Sequence, residues 1–356
     1  MSLYDEILRE IEEKKDRKER GLFNGIPFPY PKWRDYIPSI DKGMYMGILA
    51  PSGVGKSRFV RKTFVYDLYK FSKENRYPIK ILYFALEDAK NPVYKKIMCH
   101  YLWERHQFDL SPSQLESKFV GFDNRYLDIM KRDKRFFEEL EQDVAIVNSC
   151  STPSEIVQYC ERVNERFGKT HHIIAIIDNY ANITKDPHHK TEWEAVRELS
   201  RNHIRLHLCK ELEMTVIAVL QTDVESDKNT FRNSDKGSIS TLEPNTASIG
   251  DIKVIVRDFY VLLGLFHPWK YELKRYPYQD GYNTEILRNR FRSLLMLKNN
   301  EGEMAPRLPL YFDGKHEIFS EMPALNDTDA LNAMYSRILK EEVERKENAI
   351  RKGLYN

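Results

Sequence analysis

The segment APSGVGKS, residues 50–57, has the composition and spacing of a phosphate-binding loop. Gly53 and Gly55 let the backbone curl, so that its N–H groups point into one concavity. Lys56 is then positioned to reach the β- and γ-phosphates of a nucleotide, and the Ser57 hydroxyl to ligate Mg²⁺. These residue types therefore indicate a site for a nucleotide's phosphate chain and a divalent cation.

The flanking residues supply the context that such a loop requires. The apolar run Tyr45–Leu49 is predicted to be a strand, and a helix is predicted to begin after the loop and to add its positive N-terminus. The first glycine of the usual pattern is replaced by Ala50. We predict ATP and Mg²⁺ as ligands, with nucleotide contacts from Ser52, Gly53, Val54, Gly55, Lys56, Ser57 and Arg58.

Carboxylate and amide side chains follow three further apolar runs. Asp178 follows IIAII and is the expected second partner of Mg²⁺ beside Ser57. Glu87 follows ILYFAL, where a carboxylate can act as the general base that activates water, and the adjacent Asp88 is the alternative. Gln221 follows TVIAVL, where its amide can sense the γ-phosphate and signal to the long polar segment after it.

The composition is that of a folded protein with balanced charge. Of 356 residues, 41% are hydrophobic and 31% are charged, which is enough apolar material for a sizeable core. Lys and Arg number 56 and Asp and Glu 54, so the net charge of +2 excludes a histone-like or polybasic protein. A local basic patch for nucleic acid is compatible with this balance.

The sequence indicates neither a membrane span nor a secretory signal. No stretch approaches the ~18–20 apolar residues that cross a bilayer, and the charged N-terminus lacks an apolar signal region. The four cysteines have no CxxC spacing, which argues against a disulfide framework or a zinc module. We expect a cytoplasmic protein and interpret His171-His172 and His188-His189 as ordinary surface histidines, since no cysteine lies at ligand spacing.

Short β-branched or aromatic runs alternate with charged helical segments, a pattern that predicts a mostly parallel sheet with right-handed crossovers. Residues 88–143 are predicted to be helical, and three closely spaced runs after residue 290 predict antiparallel strands at the sheet edge. The predicted strands before these edge additions, with the first of them, are Tyr45–Leu49, Ile79–Leu86, Val144–Asn148, Ile173–Ile177, Val216–Leu220, Phe259–Leu265 and Leu294–Leu297.

The predicted fold class is therefore α/β, a P-loop core with a central sheet flanked by helices and an amphipathic helix at each terminus. The N-terminal helix covers about residues 3–20, and the C-terminal helix runs from Asp329 to about Lys352. We assign residues 1–24 to an N-terminal linker-type helix, 25–322 to the ATPase domain and 323–356 to the C-terminal helix.

The P-loop, Glu87 in YFALEDA, Asp178 in IIAIIDNY and Gln221 in VIAVLQT have an order and spacing that resembles a known family. The chain is similar to the RecA-like ATPase domain of hexameric replicative helicases of the DnaB type, as a divergent, phage-like member. The resemblance runs from about Gly25 to Phe319. It implies a DNA-stimulated ATPase that moves on single-stranded DNA, and a bacterial host cytoplasm if the chain is phage-encoded.

The resemblance also implies partners. The family assembles as a ring, typically a hexamer, that binds ATP between subunits, and the N-terminal helix corresponds to the linker helix that grips the neighbouring subunit. Two loops facing the channel would bind DNA, here Thr184–Glu192 and about Lys228–Lys253. A primase or a helicase loader is the further partner that the family implies. The expected phosphate contacts in the second loop are Arg232, Lys236 and Lys253.

Two departures from the family pattern matter. The family carries a Lys-x-Arg pair on a late strand, and LMLKNNEG supplies Lys298 but has Asn300 in place of the arginine finger. Such an arginine is worth ~10³–10⁵ in rate, so Lys298, Arg292 or Arg307 must substitute or hydrolysis is slow. Only about 25 residues precede the predicted core, so we expect the N-terminal domain of larger relatives to be missing.

Three hypotheses follow from these residues. The first is an ATP-driven ring translocase that unwinds DNA at a replication fork. The second, motivated by Asn300 and the missing domain, is an ATP-switched DNA-binding or loading module with slow hydrolysis. The third is a small-molecule kinase, which is disfavoured because the sequence shows neither an acceptor site nor an arginine-rich lid.

Overall fold

Thirteen strands are present in the parts of the chain that the computed structural model describes, which are residues 2–115, 124–222, 242–246 and 254–351. The side chains of residues 345–346 and 348–351 are outside this description. The strands are β1 (Ile26–Pro27), β2 (Ser39–Ile40), β3 (Tyr45–Ala50), β4 (Ile79–Ala85), β5 (Val144–Val147), β6 (His172–Asp178), β7 (Thr215–Gln221), β8 (Val261–Phe266), β9 (Arg275–Tyr276), β10 (Tyr282–Asn283), β11 (Phe291–Asn299), β12 (Leu308–Asp313) and β13 (Ile318–Glu321).

Nine of these strands form one sheet in the order β13-β12-β11-β8-β3-β7-β6-β4-β5. The six strands from β8 to β5 pair in parallel, and β11, β12 and β13 add to the β8 edge in antiparallel fashion. The predicted α/β fold class, with a mostly parallel sheet and antiparallel strands at its C-terminal edge, is confirmed. The pairs β1–β2 and β9–β10 form two small separate ribbons.

The central strands are apolar throughout because helices cover both faces of the sheet. Every residue of β3 and β6 is buried. Along β6, Ile174 and Ile176 contribute to the hydrophobic cluster on one face, while Ile173, Ala175 and Ile177 contribute to the cluster on the other. This alternation is the two-residue period of a strand, applied to a continuous apolar run that a parallel, doubly covered sheet requires.

The register of the parallel strands brings their polar ends together. Ala85 at the end of β4 pairs with Asp178 at the end of β6, and Ala50 at the end of β3 pairs with Gln221 at the end of β7. Parallel strands present their carboxyl ends at one edge, so the residues that follow them share that edge.

The helices pack on both faces of this sheet. Arg61–Tyr66 is a π-helical segment that joins the second helix to the third, and Leu199–Glu211 is a π-helix that continues the ninth. The α-helices are α1 (Leu3–Glu19), α2 (Lys56–Val60), α3 (Asp67–Asn75), α4 (Lys90–His106), α5 (Pro112–Leu115), α6 (Asn124–Arg132), α7 (Lys134–Asp143), α8 (Pro153–Phe167), α9 (Glu192–Glu198), α10 (Thr284–Leu287) and α11 (Thr328–Arg351). None of the described helices is long and apolar enough to cross a membrane.

Both predicted terminal helices are present, but they pack differently. In α11, Leu331 and Ile338 are buried against the cluster around β9, β10 and β11. No residue of α1 is buried, although its Ser2–Asp5 capping box and i,i+4 ion pairs favour the helix locally. The apolar side chains of α1 therefore lie in solvent within the single chain, and the exposed set is Leu3, Tyr4, Ile7, Leu8 and Ile11.

Two of the four histidines interpreted as surface residues are buried, so that prediction is wrong for them. His172 begins β6, and its Nε2 lies 2.7 Å from the Thr215 hydroxyl on the neighbouring strand. His189 is 4% exposed and contacts Asp186 and Glu198. In both cases a polar partner inside the fold satisfies a ring nitrogen, which the sequence alone does not reveal.

The centre of the sheet leaves no room for a side chain at Gly47 on β3. A Cβ atom there would lie 2.6 Å from a methyl carbon of Leu262 and 3.0 Å from the Phe259 ring. We expect Gly47→Ala to destabilise the fold by about 1–3 kcal/mol, as overpacking typically does, measured by urea unfolding. Gly302→Ala is the matched control because an added Cβ meets no atom within 4 Å. Equal stability of the two variants would contradict this packing.

Candidate active site

The predicted phosphate-binding loop connects β3 to α2. Gly53 and Gly55 adopt φ values of +76° and +99°, which other residues rarely tolerate, and α2 begins at Lys56. The Lys56 side chain is buried and its ammonium donates to the Pro51 carbonyl at 3.2 Å. The loop therefore curls around the position where the lysine and the helix N-terminus can meet the same phosphate.

The C-terminal strands brace this loop from the outside. Arg292 on β11 is buried, and its Nε donates to the Val54 carbonyl at 2.7 Å. Its guanidinium also stacks 4.5 Å from the Phe312 ring centroid. Burial, together with the nearby positive charge of Arg58, lowers the pKa of Arg292 to about 9. Arg292 and the buried Val54 thus shape the loop from behind.

The expected Mg²⁺ partners are in contact. The Ser57 hydroxyl donates to Asp178 Oδ1 at 3.1 Å, and Asp178 is 4% exposed. Hydroxyl and carboxylate oxygens are the hard ligands that Mg²⁺ prefers. The two residues therefore fit the cation that the loop implies, with Ser57 at the start of α2 and Asp178 at the end of β6.

A buried chain of polar groups holds the other oxygen of Asp178. The Tyr83 hydroxyl donates to Asp178 Oδ2, and Arg61 Nη1 donates to the Tyr83 oxygen at 3.2 Å. Arg61 also forms a two-point ion pair with Glu317, with N–O distances of 2.9 and 2.5 Å. Burial alone would raise the pKa of Glu317, but the charge and hydrogen bonds of Arg61 and a hydrogen bond from Tyr66 outweigh it and lower the pKa.

The two candidate general bases differ in their partners. Glu87 is exposed to the cleft, and the Asn179 amide lies 3.5 Å from its Oε2. Asp88 forms an ion pair with Lys96 at 2.5 Å, which engages one of its oxygens. Asn179 is itself held because its side chain accepts from the backbone N–H of Ala181 at 2.6 Å. This arrangement favours Glu87 as the carboxylate that meets an incoming water.

These groups line one cleft with a volume of about 350 Å³ at the carboxyl edge of the sheet. Gln221 at the end of β7 reaches it, as do Arg61, Tyr83 and Lys96, for which the sequence analysis had assigned no role. Tyr83 could have been found, because it lies two and four residues before Ala85 and Glu87 and so shares their face of β4. The predicted residues in the cleft are Ser52, Gly53, Gly55, Lys56, Ser57, Arg58, Glu87, Asp178 and Gln221.

Lys298 lies outside this cleft. Its ammonium donates to the carbonyls of Val256, Arg257 and Phe259 at 3.2, 3.1 and 2.6 Å, and burial lowers its pKa. The pairing of β11 with β8 shifts in register just before Lys298, which re-aims the side chain. A catalytic role for Lys298 toward another copy stays a prediction.

The other two candidates for the missing arginine are also engaged within the chain. Arg292 holds the loop, and Arg307 forms a two-point ion pair with Glu243 at 2.7 and 2.9 Å. The Asn300 side chain is exposed. Of the predicted DNA-contacting loops, Thr184–Glu192 lies between β6 and α9. Arg232, Lys236 and Lys253 lie outside the described residues.

The contact between Tyr83 and Asp178 predicts a defect in Mg²⁺ use. Tyr83→Phe removes the donor that orients the carboxylate, so we expect about 10-fold more Mg²⁺ to be needed for half-maximal ATP hydrolysis, by analogy with other outer-shell partners. Tyr30→Phe is the control, because it removes a buried hydroxyl that lies outside the cleft, 3.0 Å from the Thr63 hydroxyl. The same Mg²⁺ requirement in both variants would argue against this role.

Comparison with known proteins yields matches in structure alone. No protein-family model matches the chain, and no curated protein sequence matches it. A solved helicase ATPase domain is similar with a TM-score of 0.67 and 14% identity, over 91% of this chain and 100% of that one. A DnaB-like replicative helicase, solved for its interactions with primase, is similar with a TM-score of 0.64 and 14% identity. That match covers 90% of this chain and 66% of the helicase chain.

A KaiC-like protein from Pyrococcus horikoshii OT3 is more distant, with a TM-score of 0.50 and 13% identity, over 84% of this chain and 99% of that one. All three identities are low, so the likeness concerns the fold. The order of the nine strands, the loop after β3 and the cleft at its end agree with that likeness. The chain therefore has the RecA-like fold of a DnaB-type helicase ATPase domain.

Proposed function

We propose that this chain is a Mg²⁺-dependent ATPase that assembles into a ring, a hexamer by family analogy, and moves on single-stranded DNA as a replicative helicase. One observation carries the ATPase proposal: Lys56, Ser57, Asp178, Glu87 and Gln221 converge on one cleft, although they come from four separate strand ends. The DNA and helicase parts rest on the likeness of the fold to DnaB-type domains.

The cleft residues divide the work of hydrolysis. Lys56 and the N-terminus of α2 bind the β- and γ-phosphates and offset the charge that grows on the leaving oxygen. Ser57 and Asp178 hold Mg²⁺, which bridges the β- and γ-phosphates. Glu87 accepts the proton of the water that attacks the γ-phosphorus in line. Gln221 lies at the γ-phosphate end of β7 and links the state of the nucleotide to the segment that follows it.

The helix α1 supports assembly into a ring. We keep residues 1–24 as a linker-type segment, 25–322 as the ATPase core and 323–356 as the C-terminal helix. The apolar side chains of α1 are exposed in the single chain, whereas Leu331 and Ile338 of α11 are buried within it. A second copy that covers Leu3, Ile7 and Ile11 would remove this apolar surface from water.

We extend one further expectation from a related fold. The DnaB-like helicase that this fold matches was solved for its interactions with primase. We therefore propose a primase or a helicase loader as an additional partner, and the host cytoplasm as the compartment if a phage encodes the chain.

The cationic residues favour a second candidate, an ATP-switched DNA-binding or loading module. Within the chain, Lys298 is bound by three carbonyls, Arg292 by the P-loop and Arg307 by Glu243. A finger donated to a neighbour would first have to leave these contacts. Slow hydrolysis that only resets a binding state fits this arrangement as well.

Steady-state ATP hydrolysis with and without single-stranded DNA at low salt tests the motor against the switch. A motor predicts clear stimulation by DNA, and a switch predicts ATP-dependent DNA binding with a slow, unstimulated rate. Lys56→Ala should reduce turnover to background. Glu87→Gln should bind ATP but hydrolyse it ~10²–10⁴-fold more slowly, as expected on removal of a general base.

Asp88→Asn is the matched control because it removes the neighbouring carboxylate, which is paired with Lys96. We expect its rate to stay within a few-fold of the unmodified protein. If Asp88→Asn and not Glu87→Gln abolishes turnover, the base is misassigned by one residue. Near-normal turnover of Lys56→Ala would refute the ATPase site itself.

Assembly through α1 is tested by replacing its apolar residues. The double variant Ile7→Gln with Ile11→Gln should shift the oligomer to smaller species in light scattering with Mg²⁺ and a non-hydrolysable ATP analogue. Its thermal unfolding should not change, because no residue of α1 is buried in the chain. Glu6→Gln with Glu12→Gln places the same side chains on the same helix and should assemble normally. Unchanged mass of the first variant would show that α1 is not the clasp.

A further inference from the structure

A cluster of histidines surrounds Glu198, away from the nucleotide cleft. His188 and His189 lie in the segment between β6 and α9, Glu198 is the last residue of α9, and His203 lies in the π-helix that continues it. Glu198 Oε2 is 3.0 Å from His189 Nε2, and Oε1 is 3.4 Å from His203 Nε2 and 3.9 Å from His188 Nε2. Three imidazoles thus converge on one carboxylate.

Hydrogen bonds inside the fold determine the role of His189. Its Nδ1 accepts from the backbone N–H of Asp186 at 3.2 Å, so in the neutral ring the proton is on Nε2 and is donated to Glu198. The Asp186 carboxylate is itself held by the backbone N–H and the hydroxyl of Ser154, both at 3.0 Å. His189 therefore orients Glu198 from one side, which leaves Oε1 directed at His188 and His203.

The π-helix is what brings Glu198 and His203 together. They are five residues apart, and in an α-helix of 3.6 residues per turn such residues point about 140° away from each other. The i→i+5 hydrogen bonds of a π-helix instead place them one above the other. The wide turns run over Leu199–Glu211, starting directly after Glu198. Such segments are rare and recur at functional sites.

We propose that His188, Glu198 and His203 form a binding site for a divalent transition-metal ion, with Zn²⁺ as the best match. The ligand atoms are His188 Nε2, His203 Nε2 and Glu198 Oε1. Zn²⁺ bonds to imidazole and carboxylate are about 2.0–2.2 Å long, so tetrahedral ligand atoms lie about 3.4 Å apart. The observed 3.4 and 3.9 Å are close to that separation. Three protein ligands leave a fourth position for water.

The surroundings agree with an ion site of this kind. Asp186, His188 and His189 offer ligand atoms within 4.8 Å of one another, so the negative charge of Asp186 is nearby. His189 and Glu198 form the outer-shell pair that commonly orients a metal ligand. A bound ion would tie the segment Thr184–Glu192 to the π-helix through His188. This site is separate from the nucleotide cleft and does not depend on the proposed ATPase function.

Zinc titration of the whole, untagged protein without nucleotide tests the proposal. A chromophoric chelator that competes for Zn²⁺ reports affinity and stoichiometry, and Co²⁺ absorption reports the ligand geometry. We expect one Zn²⁺ per chain and at least ~10-fold weaker binding in His188→Gln and in His203→Gln, by the scale of losses at metal sites. The four cysteines are buried, so they do not compete for the ion.

His207→Gln is the matched control, since His207 lies on the same π-helix and contacts Glu161 and Glu211 at 2.8 and 2.6 Å. It should bind Zn²⁺ like the unmodified protein. Zn²⁺ should also raise the melting temperature of the unmodified protein and of His207→Gln, and not that of the two ligand variants. Absent stoichiometric binding, binding that survives both ligand substitutions, or binding lost only in His207→Gln would each overturn the proposal.

Discussion

The buried ion pair between Arg61 and Glu317 is the interaction on which the nucleotide cleft depends. Both side chains are almost completely buried, and removing one partner of such a pair typically costs about 3–5 kcal/mol because the other charge stays uncompensated. Arg61 follows α2, while Glu317 lies in the turn between β12 and β13. The pair therefore joins the helix of the phosphate loop to the far edge of the sheet, and through Tyr83 it reaches Asp178.

The cleft shows why a parallel sheet suits phosphate chemistry. Each strand contributes one polar group at its carboxyl end, and the ladder hydrogen bonds set how those groups align. Asp178 pairs with the end of β4, and Gln221 pairs with the end of β3. The positions are rigid because the strands behind them are buried on both faces. Preorganised groups of this kind favour catalysis because they need not reorganise during the reaction.

Much of this site was predictable because its signals are local. Gly53, Gly55 and Lys56 are adjacent in sequence, and Glu87, Asp178 and Gln221 each follow a recognisable apolar strand. Most of the strands and both terminal helices were likewise predictable from apolar periodicity. The remaining features depend on contacts between distant parts of the chain. Arg292 holds Val54 across 238 residues, and Arg61 meets Glu317 across 256. No spacing in the sequence identifies such pairs, so Arg292 was predicted as a possible finger rather than as a brace. The π-helix and the burial of His189 were missed for a related reason, since their hydrogen bonds and partners form only when the segments have packed together.

The contact between Arg292 and Val54 links two regions of the molecule energetically. The phosphate loop rests on β11, and β11 is paired with β12 and packed against α11. If a protein that binds this C-terminal edge shifts β11, it changes the affinity of the loop for nucleotide. Reciprocity then requires the nucleotide to change the affinity for that protein by the same factor. The C-terminal edge is thus a surface from which the phosphate loop can be regulated.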